Sequence, residues 1–139
     1  MNEILKKELI QFKLFHKNSF NVYFHIVCGF IFMTCLLLIS NKYSYLLLVI
    51  YSLIILFTLN DIIVSFIIFT ILFVLLCYIK NKNLTKQNIL YLFLFFYFLP
   101  ELSHYLTNEP TVLNINNVTP LTLILNIFYL LPFSLKILI

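Results

Sequence analysis

Three histidines are the side chains of this chain best suited to chemistry, because neutral imidazole is a common ligand for transition metals. His16 and His25 stand at the start of the first long apolar stretch, and His104 stands near the end of the fourth. If the stretches between them cross a membrane an even number of times, all three imidazoles reach the same face. Imidazoles gathered at one face of a membrane bundle predict a metal site.

The local spacing puts a condition on that site. Asn18, Asn21 and His25 are three and four residues apart, so they form one polar stripe on a helix. His16 precedes His25 by nine residues and would point to the opposite side of a continuous helix. Both can bind one metal only if the helix breaks near Asn18 and Ser19, two residue types that favour caps and turns.

A second polar stripe surrounds the third histidine. Glu101, His104 and Tyr105 share one helix face. Glu-x-x-His occurs in pairs in carboxylate-bridged iron bundles, and the single copy here argues against a di-iron centre. Three imidazoles, with a carboxylate to harden the site, favour iron and leave coordination positions open for a substrate or dioxygen. The alternative for each histidine is a simple hydrogen bond at the headgroup boundary.

The composition requires a lipid environment. Of 139 residues, 63% are hydrophobic and 10% are charged, which is more apolar surface than a soluble domain of this size can bury. The net charge of +4 comes from lysines that flank apolar segments, as is typical of headgroup contacts and not of nucleic acid binding. The three cysteines lie inside apolar segments, where cysteine behaves as a small hydrophobe.

The hydropathy pattern predicts an all-α, polytopic membrane helical bundle, one domain over residues 1–139, with an interfacial amphipathic helix and about four or five transmembrane helices. The interfacial helix takes residues 1–19, and the apolar spans are 20–40, 45–59, 62–79, 89–105 and 121–139. A single helix over 45–79 would extend about 50 Å, too long for a core of about 30 Å, so Asn60 and Asp61 should form a hairpin. Pro100 is expected to kink its span, and Pro132 to break the last one.

Residue size and charge add two expectations. Alanine is absent and Gly29 is the only glycine, so we expect helices that cannot approach closely and that leave room for an acyl chain. The crossing count divides the lysines almost evenly, and the positive-inside rule therefore gives no orientation. On the histidine face lie Lys6, Lys7, Lys13 and Lys17, and on the other face Lys42, Lys80, Lys82, Lys86 and Lys136.

The segment from Phe15 to His25 resembles the opening signature of the 2-hydroxy-fatty-acid dioxygenases, small membrane proteins named for the metabolism of phytosphingosine to odd-numbered fatty acids. That family has an aromatic residue, His, Asn and Asn-x-x-x-His before its first span. A tight hairpin of two short spans follows, and then a fourth span that ends in Gly-His with a Glu shortly after. Ser103-His104 takes the Gly-His position here, and Glu109 is the following acid.

The resemblance implies an Fe(II)-dependent enzyme of the endoplasmic reticulum that uses dioxygen to remove one carbon from a 2-hydroxy fatty acid. It makes His16, His25 and His104 the metal ligands and Glu109 a ligand or a partner of a ligand. The fatty-acyl substrate would keep its tail among membrane lipids. The residues that would orient an imidazole or the substrate head are Asn18, Asn21, Glu101 and Lys17.

A non-catalytic accessory subunit, for example of an organellar inner-membrane complex, is the alternative, and it would bind other membrane proteins. A transporter is the weakest hypothesis, because only Asp61 and Glu101 could line a path. The distance between the imidazoles discriminates. Ligand nitrogens within about 5 Å of one another favour a metal centre, whereas histidines spread over the bundle favour the accessory subunit.

Overall fold

The computed structural model describes residues 3–82, 84–111 and 120–139, which form helices and short connections without strands. Four helical segments are long and apolar enough to cross a membrane: Ser19–Ile39, Asn41–Leu59, Ile62–Lys80 and Lys86–Thr107. The second segment includes the short 3-10 turn Asn41–Tyr43. The protein is therefore a helical membrane bundle, as predicted. Its helices are α1 (Glu3–Phe15), α2 (Ser19–Ile39), α3 (Ser44–Leu59), α4 (Ile62–Lys80), α5 (Lys86–Thr107) and α6 (Pro120–Leu138).

Polar caps place the helix starts close to the predicted ones. The side chains of Asn18, Asp61 and Thr85 each accept a hydrogen bond from a backbone N–H in the first turn of the helix that follows. The first helix is shorter than the predicted 1–19, because α1 ends at Phe15 and the chain is not helical again until after the Asn18 cap. Residues 1 and 2 lie outside the described residues.

The predicted hairpin between α3 and α4 is confirmed. Asn60 ends α3 in the left-handed conformation (φ 51°), which asparagine tolerates, and its N–H donates to the Leu56 carbonyl. Asp61 then begins α4 by accepting a hydrogen bond of 3.1 Å from the Val64 N–H. Two residues therefore reverse the chain and return it to the other side of the bundle.

Helix α2 lies at the centre of the bundle and contacts α3, α4, α5 and α6. It meets α6 at Gly29, where an added Cβ would lie 3.2 Å from the Cβ of Leu131. The expectation that these helices cannot approach closely is wrong at this crossing. One glycine at the contact point is enough, since the approach depends on the side chain at the crossing and not on the average residue size.

Pro132 does not break the last helix, contrary to expectation. Helix α6 continues through it to Leu138. A proline cannot donate to the carbonyl four residues earlier, which is that of Phe128. The Tyr51 hydroxyl of α3 donates to that carbonyl instead, at 2.9 Å, so the helix keeps its shape without an unpaired group in the membrane. Pro100 also lies inside a helix that continues beyond it, α5.

The direction of α6 corrects one charge assignment. Its C-terminal end lies at the histidine end of the bundle, where Phe133 packs on Phe12 of α1 and Lys136 Nζ lies 2.7 Å from Asp61 Oδ2. Lys136 was predicted on the opposite face, because the segment before α6 was expected to stay on the histidine side. The lysines then divide five to four instead of four to five, and still give no orientation. Most of that segment, 112–119, lies outside the described residues.

Candidate metal centre

His16, His25 and His104 converge at one end of the bundle. Each offers a ring nitrogen, and these three atoms lie within 4.8 Å of one another. The three rings are buried, with centroids 4.5 to 4.9 Å apart. The even number of crossings predicted between the first two histidines and the third is therefore confirmed.

His16 lies in the link between α1 and α2, where the sequence required a break. Its Nδ1 is 2.7 Å from the Phe12 carbonyl oxygen, and its ring stacks on the Phe12 ring with centroids 3.7 Å apart. Burial lowers the pKa of His16 to about 4, and the bond to Phe12 only partly opposes this effect. The imidazole is neutral at pH 7, the form that a metal ligand requires.

His25 lies in the second turn of α2, with its Nδ1 2.9 Å from the Asn21 carbonyl oxygen. Because a carbonyl only accepts, the Nδ1 atoms of His16 and His25 both carry hydrogens, and both Nε2 atoms present lone pairs. These Nε2 atoms are 3.3 Å apart. Two facing lone pairs repel unless a cation lies between them, and metal–nitrogen bonds of about 2.1 Å place adjacent ligand nitrogens about 3 Å apart. The pair therefore fits a metal ion.

His104, in the last turn of α5, is held by a buried amide. Its Nδ1 is 3.2 Å from Nδ2 of Asn21, a side chain without exposed surface. The Ser103 hydroxyl donates to Oδ1 of the same amide, and the Asn21 Nδ2 donates to Glu109 Oε2 at 2.6 Å. Hydroxyl and carboxylate together fix which way the amide points, so one N–H of Asn21 donates to Nδ1 of His104. The neutral His104 ring then carries its hydrogen on Nε2, where a metal ion would replace it.

Glu109 is connected to the histidine group through other residues. Its Oε1 accepts hydrogen bonds from the backbone N–H groups of Lys17 at 2.6 Å and Asn18 at 2.7 Å, and its Oε2 accepts from Asn21. The carboxylate does not belong to the group of converging ligand atoms. Burial alone would raise the pKa of Glu109, but the bonds from Asn21, Asn18 and Lys17 outweigh it and hold the pKa below its usual range. The group carries a negative charge at pH 7.

The other predicted site residues lie around this network. The Asn18 side chain accepts from the Phe20 N–H and caps α2, while Lys17 contributes its backbone N–H and leaves its side chain exposed. Glu101 is half-buried one turn before His104 and hydrogen-bonds to Thr111. Among the polar candidates, only Asn21 contacts an imidazole through its side chain in the part of the chain that the structure describes.

Sequence reasoning missed two residues of the site. Phe12 supplies both the stacking ring and the carbonyl for His16, and its spacing of four residues before the histidine is the signal that could have found it. The sequence indicates Ser103 only as the residue before His104 in the Gly-His position. Its contact with Asn21 crosses from α5 to α2, and no local spacing indicates it.

Comparisons of the chain with protein-family models, with curated proteins and with solved structures found no match. The class of this protein therefore follows from its fold and its site alone. This is an integral membrane protein of bundled helices, with a buried group of three histidines that could hold a metal ion.

Proposed function

We propose that the three histidines bind Fe(II), and that the protein is a membrane dioxygenase that shortens 2-hydroxy fatty acids by one carbon. The observation that carries the proposal is the convergence of three buried ring nitrogens within 4.8 Å. The substrate class comes from the resemblance of residues 15–25 to the 2-hydroxy-fatty-acid dioxygenases. The same resemblance leads us to propose the endoplasmic reticulum as the location.

The donor set suits iron and an α-hydroxy acid. Three neutral imidazoles would hold the ion and leave room beside it for the carboxylate and hydroxyl of the substrate. The charges also balance, because a dication is offset by the Glu109 carboxylate and by the single negative charge of the substrate. Iron supplies the one-electron chemistry that dioxygen needs to react with an organic acid.

The proposed reaction needs no reductant besides its substrate. A 2-hydroxy acid R–CH(OH)–COOH and one O2 give R–COOH, CO2 and H2O. The bond between C1 and C2 breaks, C1 leaves as CO2, and C2 becomes the new carboxyl carbon. Dioxygen accepts all four electrons. The protein's contribution is to hold the acid head beside the imidazoles and to keep bulk water away from them, which the burial of all three rings supports.

The position of the site also suits a lipid substrate. It lies where α1 meets the ends of α2 and α5, at one end of the membrane helices. Helix α1 buries Leu5, Leu9 and Phe12 while exposing lysines and apolar side chains, as an interfacial helix does. A head group bound at this level leaves its acyl tail in the bilayer.

The test measures iron and turnover in the same purified protein. We expect stoichiometric iron by mass spectrometry, and Fe(II)-dependent consumption of O2 with release of a chain one carbon shorter from 2-hydroxyhexadecanoic acid. His104→Ala should lose both, whereas Tyr105→Phe, a change at the exposed neighbouring residue, should lose neither. Equal iron in the wild type and His104→Ala would overturn the proposal.

The accessory-subunit alternative makes a different prediction. Histidines spread over the bundle or buried against another protein chain would favour it, and the observed convergence within one chain supports the metal centre instead. Its own signature would be a metal-free protein that purifies with a stoichiometric membrane partner. Retained zinc without O2 consumption would keep the metal centre and remove the dioxygenase.

A further inference from the structure

We propose that Glu109 is a positioning residue of the metal centre, which fixes the chain break carrying His16 and, through Asn21, the ring of His104. The inference rests on the metal centre of the proposed function but not on its substrate. Glu109 is suited to this role because it connects two segments that are distant in sequence, the α1–α2 link and the end of α5.

The first connection is to the break between α1 and α2. Glu109 Oε1 accepts from the two successive N–H groups of Lys17 and Asn18, directly after His16. N–H groups at a helix start have no partner within the helix, and a carboxylate there is held by both hydrogen bonds and the helix dipole. Without the carboxylate these donors would turn to water, and the position of His16 relative to α2 would no longer be fixed.

The second connection passes through Asn21 to His104. Glu109 Oε2 accepts from Asn21 Nδ2, and the same amide nitrogen faces Nδ1 of His104 at 3.2 Å. Asn21 is fully buried, so its amide has no water to turn to. The carboxylate therefore makes the amide present an N–H to Nδ1 of His104, and this contact limits the rotation of the ring and keeps the ring hydrogen on Nε2 until a metal ion replaces it.

Glu109 is itself held in place by the end of α5. Asn108 takes the left-handed conformation, with φ 54°, and turns the chain back over the last helical turn. The Glu109 N–H then donates to the His104 carbonyl at 3.0 Å. The backbone of Glu109 is thus bound to one ligand residue while its side chain reaches the segment carrying another.

Two substitutions separate charge from shape. In Glu109→Gln the amide oxygen can still accept from Lys17 and Asn18, but its NH2 would face the NH2 of Asn21, so the connection to His104 is lost. Glu109→Asp keeps the charge on a shorter side chain and should retain part of the metal affinity. Glu3→Gln makes the same chemical change at the exposed start of α1, away from the network, and is the matched control.

The experiment titrates Co(II) into the purified, metal-free full-length protein and records its visible absorption spectrum, which reports the ligands and their geometry. We expect Glu109→Gln to weaken Co(II) binding about ten- to a hundredfold and to alter the spectrum at saturation, as loss of an outer partner of a ligand does. Glu109→Asp should fall between it and the wild type, and Glu3→Gln should match the wild type.

Wild-type affinity and an unchanged spectrum in Glu109→Gln would overturn the positioning role and leave the metal centre standing. If Glu109→Gln does not fold, Glu109→Asp replaces it in the titration. A wild-type Co(II) affinity and spectrum in that variant would also overturn the positioning role. A wild type that binds no Co(II) would overturn both this inference and the metal centre beneath it.

Discussion

The two ends of the bundle are built from the same helix but differ in chemistry. At one end, the first two turns of α2 contribute Asn21 and His25 to a buried network of hydrogen bonds. At the other end, the last turns of α2 line an apolar groove of about 670 Å³ with α3 and α6. Typical residues of this groove are Met33, Leu37, Ile50, Ile55, Leu125 and Phe128.

The difference between the two ends separates the histidine site from the space for an acyl chain. The room for an acyl chain that the sequence predicted exists, but none of the three histidines lines the groove. Along α2, His25 and Met33 are separated by roughly 12 Å, at 1.5 Å per residue. The histidines and the start of the groove therefore lie about two helical turns apart along α2. Changes at the two ends should have separable effects.

The largest expected effect is on metal binding and is confined to the histidine end. His25→Ala removes a ligand and should reduce bound metal by more than tenfold, because outer partners of a ligand alone are worth ten- to a hundredfold. Ile50→Ala, in the groove, should leave bound metal unchanged. Metal per chain after reconstitution measures both, and metal retained by His25→Ala would remove the distinction between the ends.

The second prediction is a pH dependence that arises at the histidine end. The pKa of His16 is lowered from 6.5 to about 4 by burial, so between these values the unfolded chain takes up a proton that the folded protein does not. The metal-free protein should lose stability as pH falls from about 6.5 to about 4, by roughly 3 kcal/mol at most.

Unfolding in mixed micelles at several pH values measures this slope. His16→Gln should make it shallower but not remove it, because two further buried histidines remain, whereas Tyr51→Phe in the other half should leave it unchanged. The carboxyl groups with lowered pKa, Asp61 and Glu109, lose their stabilising effect only below their ordinary values near pH 4, so their contribution falls in a lower window. A slope that His16→Gln leaves unchanged would assign the pH dependence to other groups.

The third prediction concerns the groove half. Tyr51→Phe removes the donor to the Phe128 carbonyl and should cost about 1 kcal/mol of unfolding free energy. Pro132→Ala restores a backbone N–H for that carbonyl, so Tyr51→Phe should cost less in this background. The double-mutant cycle measures the coupling, and an additive result would show that Tyr51 does not compensate for the proline. Metal affinity should be unchanged in each variant.

The smallest expected effect lies at the histidine end but outside the metal network. Asp61→Asn removes the ion pair with Lys136 while keeping a side chain that can cap α4. Because about a quarter of each partner is exposed, the loss should be below about 1 kcal/mol. Salt should reduce the stability of the wild type toward that of the variant, and a larger, salt-independent loss would mean that Asp61 contributes through the cap instead.

Local sequence signals predicted the helices and several connections. Hydropathy and length indicated the spans, and Asn60-Asp61 indicated the reversal between α3 and α4. The nine-residue spacing of His16 and His25 required a break, and the chain breaks between Phe15 and Ser19. The continuity of α6 through Pro132 could not be predicted, because it depends on a hydroxyl from another helix.

The sequence alone was enough to predict that the chain spans the membrane as helices. A bilayer requires apolar segments of a given length in which every backbone group is paired internally. The sequence also placed two imidazoles close to the first helix start. The packing of α5 against α2 is what brings His104 to the other two imidazoles. The same packing lets Asn21 and Glu109 hold the histidine group together. Only the tertiary structure decided these contacts, because they join α2 to the end of α5 across more than eighty residues, a distance over which no local spacing carries information.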